Sequence, residues 1–421
     1  MRPRTTHVRL GATLLAVVAL VAVACSSGSS SGTATGTTVD AAANSKLLGP
    51  ANAATGEPLK VGYVTAGETQ AIDTRPDLAM AQATVKYVNQ HLGGVAGRPL
   101  ELVTCMDQTT PAGATACANQ MLAAKVPIVL QAEPANPAAE LKIYEPAKIP
   151  YFTWAAADAT LLESADASTI GNPLTILAAP IKLAKDDGVS KVAMIYTDVP
   201  AAAALKGIAT PLYKNEGVGL VPAAVPLGTP DLTPQVQAAL SSGAKEFLVV
   251  GDNSLCLNTL KALKTLGFSG KAISNMNCLA GSGSSAVPGG FNGLVLSNTW
   301  TPDPHNADVA LYRAVAATYA PNLQAEVGIA EAGYAMIMGF ARAMKALQPS
   351  DATSAGMAAQ LKMMAPATMP LLSGETFQCN RQVDTLLPAV CSNGSALVFL
   401  DAHGGVTRSE TFDAGPYLKL G

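Results

Sequence analysis

Charged side chains and aromatic rings are both scarce in this chain of 421 residues, at 14% and 5%, with only two tryptophans. The 27 Lys and Arg are outnumbered by 30 Asp and Glu, giving a net charge of −3. No basic excess exists to neutralise a run of phosphates, so no nucleic-acid partner is expected. The four histidines, His7, His91, His305 and His403, are too scattered for a metal cage, and the closely spaced cysteine pairs of a zinc site are absent. Gly-x-Ser-x-Gly, His-Glu-x-x-His and Walker sequences are missing too. No enzyme activity, metal or cofactor is therefore expected. Gly281–Ala286 (GSGSSA) imitates a dinucleotide fingerprint but runs into Val287-Pro-Gly-Gly290 instead of a helix, and reads as a loop. Past residue 24 no apolar run is fit to span a bilayer: the most apolar helix, Val327–Leu347, carries Glu331, Arg342 and Lys345. What is abundant is apolar: 49% of residues, enough for two or three domains at about 150 residues each.

The N-terminus reads as a targeting segment. Arg2, Arg4 and Arg9 precede a 15-residue apolar stretch, Leu10–Ala24, which closes on Ala22-Val-Ala-Cys25. Small residues followed at once by cysteine resemble the bacterial lipobox, in which that thiol is acylated and becomes the new N-terminus; Ala22 stands where leucine is usual. The alternative is an ordinary secretory peptide, residues 1–24, with an incidental cysteine. Residues 25–57, rich in Gly, Ser and Thr at their start, read as a flexible tether. With Cys25 set aside, six cysteines remain. They fall as sequential neighbours, Cys105/Cys117, Cys256/Cys278 and Cys379/Cys391, which suits disulfides in an oxidising compartment.

From residue 58 short apolar runs alternate with amphipathic ones, the pattern of parallel α/β structure. Expected strands are 60–66, 100–106, 127–131 and 150–155 in a first series, with helices from 77, at 111–124 and at 136–147. Asn172-Pro173 reads as a helix cap with proline at the first helical position, opening a second series. Its strands are expected at 191–197, 220–226, 246–251, 271–274 and 293–298, and its helices near 201–216, 232–242 and 254–266. Helices then follow at 306–319, 326–347 and 353–364. The region 377–411 reads as short strands, with Asp401-Ala-His-Gly-Gly405 as a hairpin turn.

Several segments in this order, VGYVTAGE, VNQHLGGVAGRPLEL, CMDQTTPAGATACANQML, IPYFTWAAADATL, VAMIYTDVP, AKEFLVVGDNSLCLNTLKALKTLGF and GFNGLVLSNTWTPD, resemble the type I periplasmic binding proteins of the leucine/isoleucine/valine class over nearly all of 58–412. The resemblance implies an α/β fold of two doubly wound lobes joined by three crossover strands. It also implies a solute closed between the lobes and delivered to an ABC-type permease by a monomer held to the membrane only through its lipid, on the outer face of the bacterial cytoplasmic membrane. The lobes are expected to be 58–171 with about 301–375, and 172–300 with about 376–421. A ligand-sensing surface lipoprotein of the same fold is the alternative.

Ligands of open parallel sheets bind beyond the carboxyl ends of strands. In the first lobe those ends hold Gln70, Gln131, Ala132, Glu133, Trp154, Ala155, Ala156 and Ala157; in the second, Asp198, Asp252, Asn253, Asn275 and Asn277, with Trp300 after the crossover. Trp154 and Trp300 would stack on a planar or apolar ligand, or else cover their own cores. The Asp and Asn residues would supply directional hydrogen bonds, or else serve turns and helix caps. Glu133 would meet a cation or an amide, or else sit solvated at a helix start. Binders of amino acids in this family hold the ligand's carboxylate and ammonium with hydroxyls and backbone groups in the two first-lobe loops, and backbone amides here could still grip a carboxylate. Here those loops read Gln-Ala-Glu and Ala-Ala-Ala, which suggests a less polar solute.

Overall fold

The computed structural model describes residues 41–70, 72–279, 283–324, 329–384 and 387–419. The expected signal peptide, Cys25 and the start of the tether lie outside them, as do Gly281 and Ser282 of the GSGSSA loop. The tether itself proves shorter than its composition implies. Ala41–Leu48 is a helix (α1), and the chain after it is hydrogen-bonded to the body, Asn52 N–H to Gln90 O at 2.8 Å and Ala54 N–H to Asn89 O at 2.7 Å.

The first βα series runs β1 (Leu59–Thr65), α2 (Arg75–His91), β2 (Leu100–Met106), α3 (Pro111–Ala123), β3 (Val129–Gln131), α4 (Pro137–Ala147) and β4 (Tyr151–Thr153). Two short elements then appear that periodicity does not reveal, α5 (Ala159–Glu163) and β5 (Ala167–Thr169). The five strands form a wholly parallel sheet in the order β2-β1-β3-β4-β5, with Gly62 of β1 facing Val103 on one side and Val129 on the other. The second series runs α6 (Thr175–Asp186), β6 (Lys191–Thr197), α7 (Pro200–Asn215), β7 (Gly219–Val225), α8 (Thr233–Ser241), β8 (Glu246–Val250), α9 (Asn253–Thr265), β9 (Lys271–Ser274) and β10 (Leu294–Asn298). The chain returns to the first lobe through α10 (Ala307–Tyr319), α11 (Ala330–Ala343) and α12 (Ser354–Met363), then makes the small hairpin β11 (Ala367–Thr368) and β12 (Thr376–Phe377). Finally β13 (Gly394–Leu400) and β14 (Val406–Asp413) complete a seven-stranded sheet, β14-β13-β10-β9-β8-β6-β7, in which only β13 and β14 introduce antiparallel pairings. Asp401 ends the turn between them by accepting from the backbone of His403 and Gly405, both at 2.8 Å. The two sheets are the centres of two doubly wound lobes.

Asn172-Pro173 is not the start of a helix. Asn172 Oδ1 accepts from Leu174 N at 2.8 Å and closes a turn, and α6 begins only at Thr175. The freed Asn172 amide instead donates to Asp384 Oδ2 at 3.1 Å and Asn393 Oδ1 at 2.8 Å, joining the first crossover to the third. The second crossover lies against both: a Cβ on Gly171 would come within 3.0 Å of Thr299 Cγ2, and Ser395 Oγ, where the third crossover enters β13, donates to Asn298 O at 3.1 Å. The third crossover also runs along β5, with Thr169 N donating to Ala389 O and Cys391 N to Thr169 O, both at 2.8 Å.

All three expected disulfides are present, Cys105–Cys117, Cys256–Cys278 and Cys379–Cys391. Helix α11 is buried from Ala330 to Phe340, which accounts for its apolar sequence, and no described helix is long and apolar enough to cross a membrane. Its approach to α2 is close enough that a Cβ on Gly333 would lie 2.1 Å from the Asp77 carbonyl oxygen. Arg342 at its far end pairs with the buried Asp308 of α10. Asp308 also accepts from Tyr334 Oη at 3.1 Å and Leu371 N at 2.7 Å, fixing where the chain enters its last crossover.

Candidate functional site

The carboxyl ends of β3, β4, β8, β9 and β10 converge on a cleft of about 480 Å³ between the two sheets. The first lobe contributes Glu133, Pro134 and Trp154–Ala157. The second contributes Leu205, Val249, Val250 and Asn275, and the crossovers contribute Gly171–Pro173, Thr175, Ile176 and Ser297–Trp300. Most of this wall is apolar. Among the described lining residues Glu133 alone is charged. Its side chain keeps contact with solvent inside the cleft. The protein packed around it nevertheless displaces much of the water that would stabilise its charge, which pushes its carboxyl above the usual range.

Three polar atoms on this wall are buried without a hydrogen-bond partner: Trp154 Nε1, Ser297 Oγ and Asn298 Nδ2. A buried donor left unpaired costs about 1–3 kcal/mol. Two of the nearby backbone donors, by contrast, and the start of the following helix are used. Trp154 N and Ala155 N both donate to Ala132 O, at 3.2 and 2.9 Å, and the start of α5 is capped by Asp158 Oδ1, which accepts from Thr160 N at 2.9 Å and Leu161 N at 3.2 Å.

The expected site residues divide accordingly. Glu133, Trp154, Ala155, Ala156, Ala157, Asn275 and Trp300 line the cleft. Trp154 is buried, while Trp300 is partly buried and packs against the core as well as lining the cleft. Gln131 and Ala132 line a separate pocket of about 170 Å³ at the ends of β1 and β3, the point where the strand order of the first sheet reverses. Gln131 is spoken for: its amide donates to Asp107 Oδ2 at 3.0 Å and its Oε1 accepts from Tyr151. Four expectations are corrected. Gln70 and Asp198 are exposed and line neither pocket. Asp252 caps α9, accepting from Leu255 N at 2.8 Å, and Asn253 Nδ2 donates to Cys278 O at 3.1 Å, so both serve their own lobe. The side chain of Asn277 lies outside the described residues.

A periplasmic binding protein family model matches residues 58–390, most of the chain. The chain belongs to the periplasmic binding proteins. That family is one of extracytoplasmic solute binders. No curated protein sequence matches this one. Similar solved structures include the leucine-, isoleucine-, valine-, threonine- and alanine-binding protein of Brucella ovis in its closed conformation (15% identity, TM-score 0.66, covering 85% of this chain and 96% of that one). Also similar are a fatty acid ABC transporter substrate-binding protein from Thermomonospora curvata (16%, 0.63, 86% and 94%) and a solute-binding protein of an ABC transporter from Rhodopseudomonas palustris in complex with 4-hydroxybenzoate (18%, 0.62, 85% and 97%). At such identities the likeness is one of fold. As a periplasmic binding protein this chain places its cleft where the strand ends predict, but sequence reasoning misses the crossover residues Gly171–Ile176 and Ser297–Thr299. Asn298 carries a usable signal, an Asn at a strand end like Asn275. Gly171 and Ser297 carry none.

Proposed function

We propose that this protein is the solute-capturing component of an ABC-type uptake system, a monomer anchored to the outer face of the cytoplasmic membrane by acylated Cys25. Its ligand is a small, weakly polar organic solute held between the lobes by hinge closure. One observation carries the reading: a cleft of about 480 Å³, walled by both lobes and by the crossovers between them. Ligand contacts to both walls would favour the closed state by their differential affinity, and closure would be the signal to the permease. The solutes named for the fold's relatives, branched-chain and other amino acids, a fatty acid and 4-hydroxybenzoate, are the classes to test first.

The assignment of lobes is part of this proposal: 58–171 with about 301–375, and 172–300 with the C-terminal segment. The bonds of Ala389 and Cys391 to β5 support moving the last boundary from about 375 to about 391. The anchor rests on the lipobox, and Cys25→Ala should release the protein from membranes into the soluble fraction. Retention of that variant on membranes would count against acylation. For the binding function, the expected result of a thermal-shift panel is a rise of several degrees with at least one solute, since a ligand at a hundred times its Kd stabilises the fold by about 2.7 kcal/mol. The solute must be recovered intact. Its consumption would indicate an enzyme, and silence across the panel with intact folded protein would point to a sensor.

A further inference from the structure

Resting on the hinge reading above, we propose that the Cys379–Cys391 disulfide makes the loop it closes a rigid part of the first lobe, so that the third crossover bends only at Ser392 and Asn393. The run between β12 and β13, residues 378–393, is much longer than the other two crossovers, 170–174 and 299–306. Left free, it would place little restraint on the lobes. Its own packing is poor: of the described residues from 380 to 388 none is buried, and only Ala389 and Val390 enter the interior. The cross-link compensates. Cys379 and Cys391 are buried and bonded to each other, and Gln378 N donates to Cys391 O at 2.7 Å beside them. Closing the segment in this way removes most of the conformations open to it before any other bond forms.

The closed loop is then tied to the first lobe along its length. Arg381 donates through Nη1 to Ser164 O at 2.8 Å and through Nη2 to Ala165 O at 2.7 Å, and it spans the loop to Pro388 O at 3.2 Å. Ala389 N donates to Leu162 O at 3.0 Å, and Thr169 of β5 holds Ala389 and Cys391. The change of lobe follows at once. Ser392 Oγ still donates back to Thr376 O, at 2.6 Å, whereas Asn393 O accepts from Ala414 N beyond β14, at 2.8 Å. The bending point therefore falls on these two residues. The same loop carries Asp384, which accepts from Asn172 on the cleft wall at 3.1 Å, so a slack loop would loosen the wall as well as the joint.

The test measures lobe movement without a solute, on the mature secreted protein. Nitroxides are carried at exposed Lys142 of α4 and Lys214 of α7, one in each lobe, on introduced keto amino acids that leave the native disulfides alone. Cys379→Ser with Cys391→Ser should broaden the distance distribution about twofold. Cys105→Ser with Cys117→Ser, which opens a loop of the same sequence separation, 12, inside the first lobe, should leave it at the parental width. Within the intact staple Gln382→Gly should change nothing, while Ser392→Gly should broaden the distribution; that pair decides the matter if the double variant fails to fold. Broadening by Ser392→Gly without broadening by the Cys379/Cys391 variant, or equal broadening by both disulfide variants or by both glycine variants, would overturn the inference and leave the hinge and solute binding standing. No broadening by any variant would remove the hinge reading, and the inference with it.

Discussion

A phenol has one proton to give, and Tyr151 stands between two acceptors. Its hydroxyl contacts Gln131 Oε1 and, at 2.6 Å, Glu140 Oε2, all of them buried. Both contacts are hydrogen bonds only if one partner brings a second proton. Glu140 is the group able to do so, because burial drives its pKa up to about 8 against the opposing pull of Tyr151. The sequence is then Glu140 O–H to Tyr151 Oη, Tyr151 O–H to Gln131 Oε1, and Gln131 N–H to Asp107 Oδ2. This chain explains why Gln131, at the tip of β3, is held inside its lobe. Replacing Tyr151 by Phe should cost about 1–3 kcal/mol, since Gln131 and Glu140 both lose a partner in the interior. Glu140→Gln, whose amide can still donate to Tyr151, should cost clearly less. Urea unfolding of the two variants checks the order, and equal losses would dismiss the protonated-carboxyl assignment.

Among elements, legibility follows apolar patterning. Strands β2, β6 and β9 and helices α3, α4, α7, α8 and α9 are readable to within a residue or two because alternation and 3.6-residue spacing are strong there. Strand β5 is not. Its sequence, Ala-Ser-Thr, is fully buried by position at the edge of the sheet, beside β4 and the third crossover, and has no apolar signature. Helix α1, Ala-Ala-Ala-Asn-Ser-Lys-Leu-Leu, is only eight residues long and follows closely on the Gly/Ser/Thr coil, and its docking against α10 is a tertiary fact. The same division holds for the site. The loops at 131–133 and 154–157 are legible as strand ends, whereas the N-terminus of α9 claims Asp252 for local capping, which sequence alone does not separate from ligand binding. Crossover residues such as Gly171 and Ser297 become site residues only once two lobes fold against each other.

At the scale of the molecule, the buried carboxyls make stability depend on pH in a definite direction. Asp77, enclosed beneath Tyr63 and Thr65, has its pKa raised by burial to about 7 from 3.8, and Glu140 to about 8 from 4.5. The folded protein therefore holds protons that the unfolded chain releases. The stabilisation is complete below about pH 4 for these two groups, diminishes as the pH rises, and is lost through the range 7–8. We expect Tm in calorimetry to fall by several degrees, roughly, between pH 5.5 and 8.5. Asp77→Asn, which removes the titration without changing shape, should flatten that fall. A Tm that climbs over the same range would show that other groups dominate.

The bonded crossovers have a mechanical consequence. Three separate linkers would let one lobe slide, twist or tilt against the other. Here the strips are laminated: Gly171 lies flat against Thr299, Asn172 grips Asp384 and Asn393, and Ser395 is tied to Asn298. Sliding one strip past its neighbour breaks those bonds, while flexing all three together leaves them intact. In the proposed hinge closure the joint would therefore flex as a leaf spring with one easy axis, and because Gly171, Asn172 and Thr299 also form part of the cleft wall, whatever enters the cleft would rest on the spring itself.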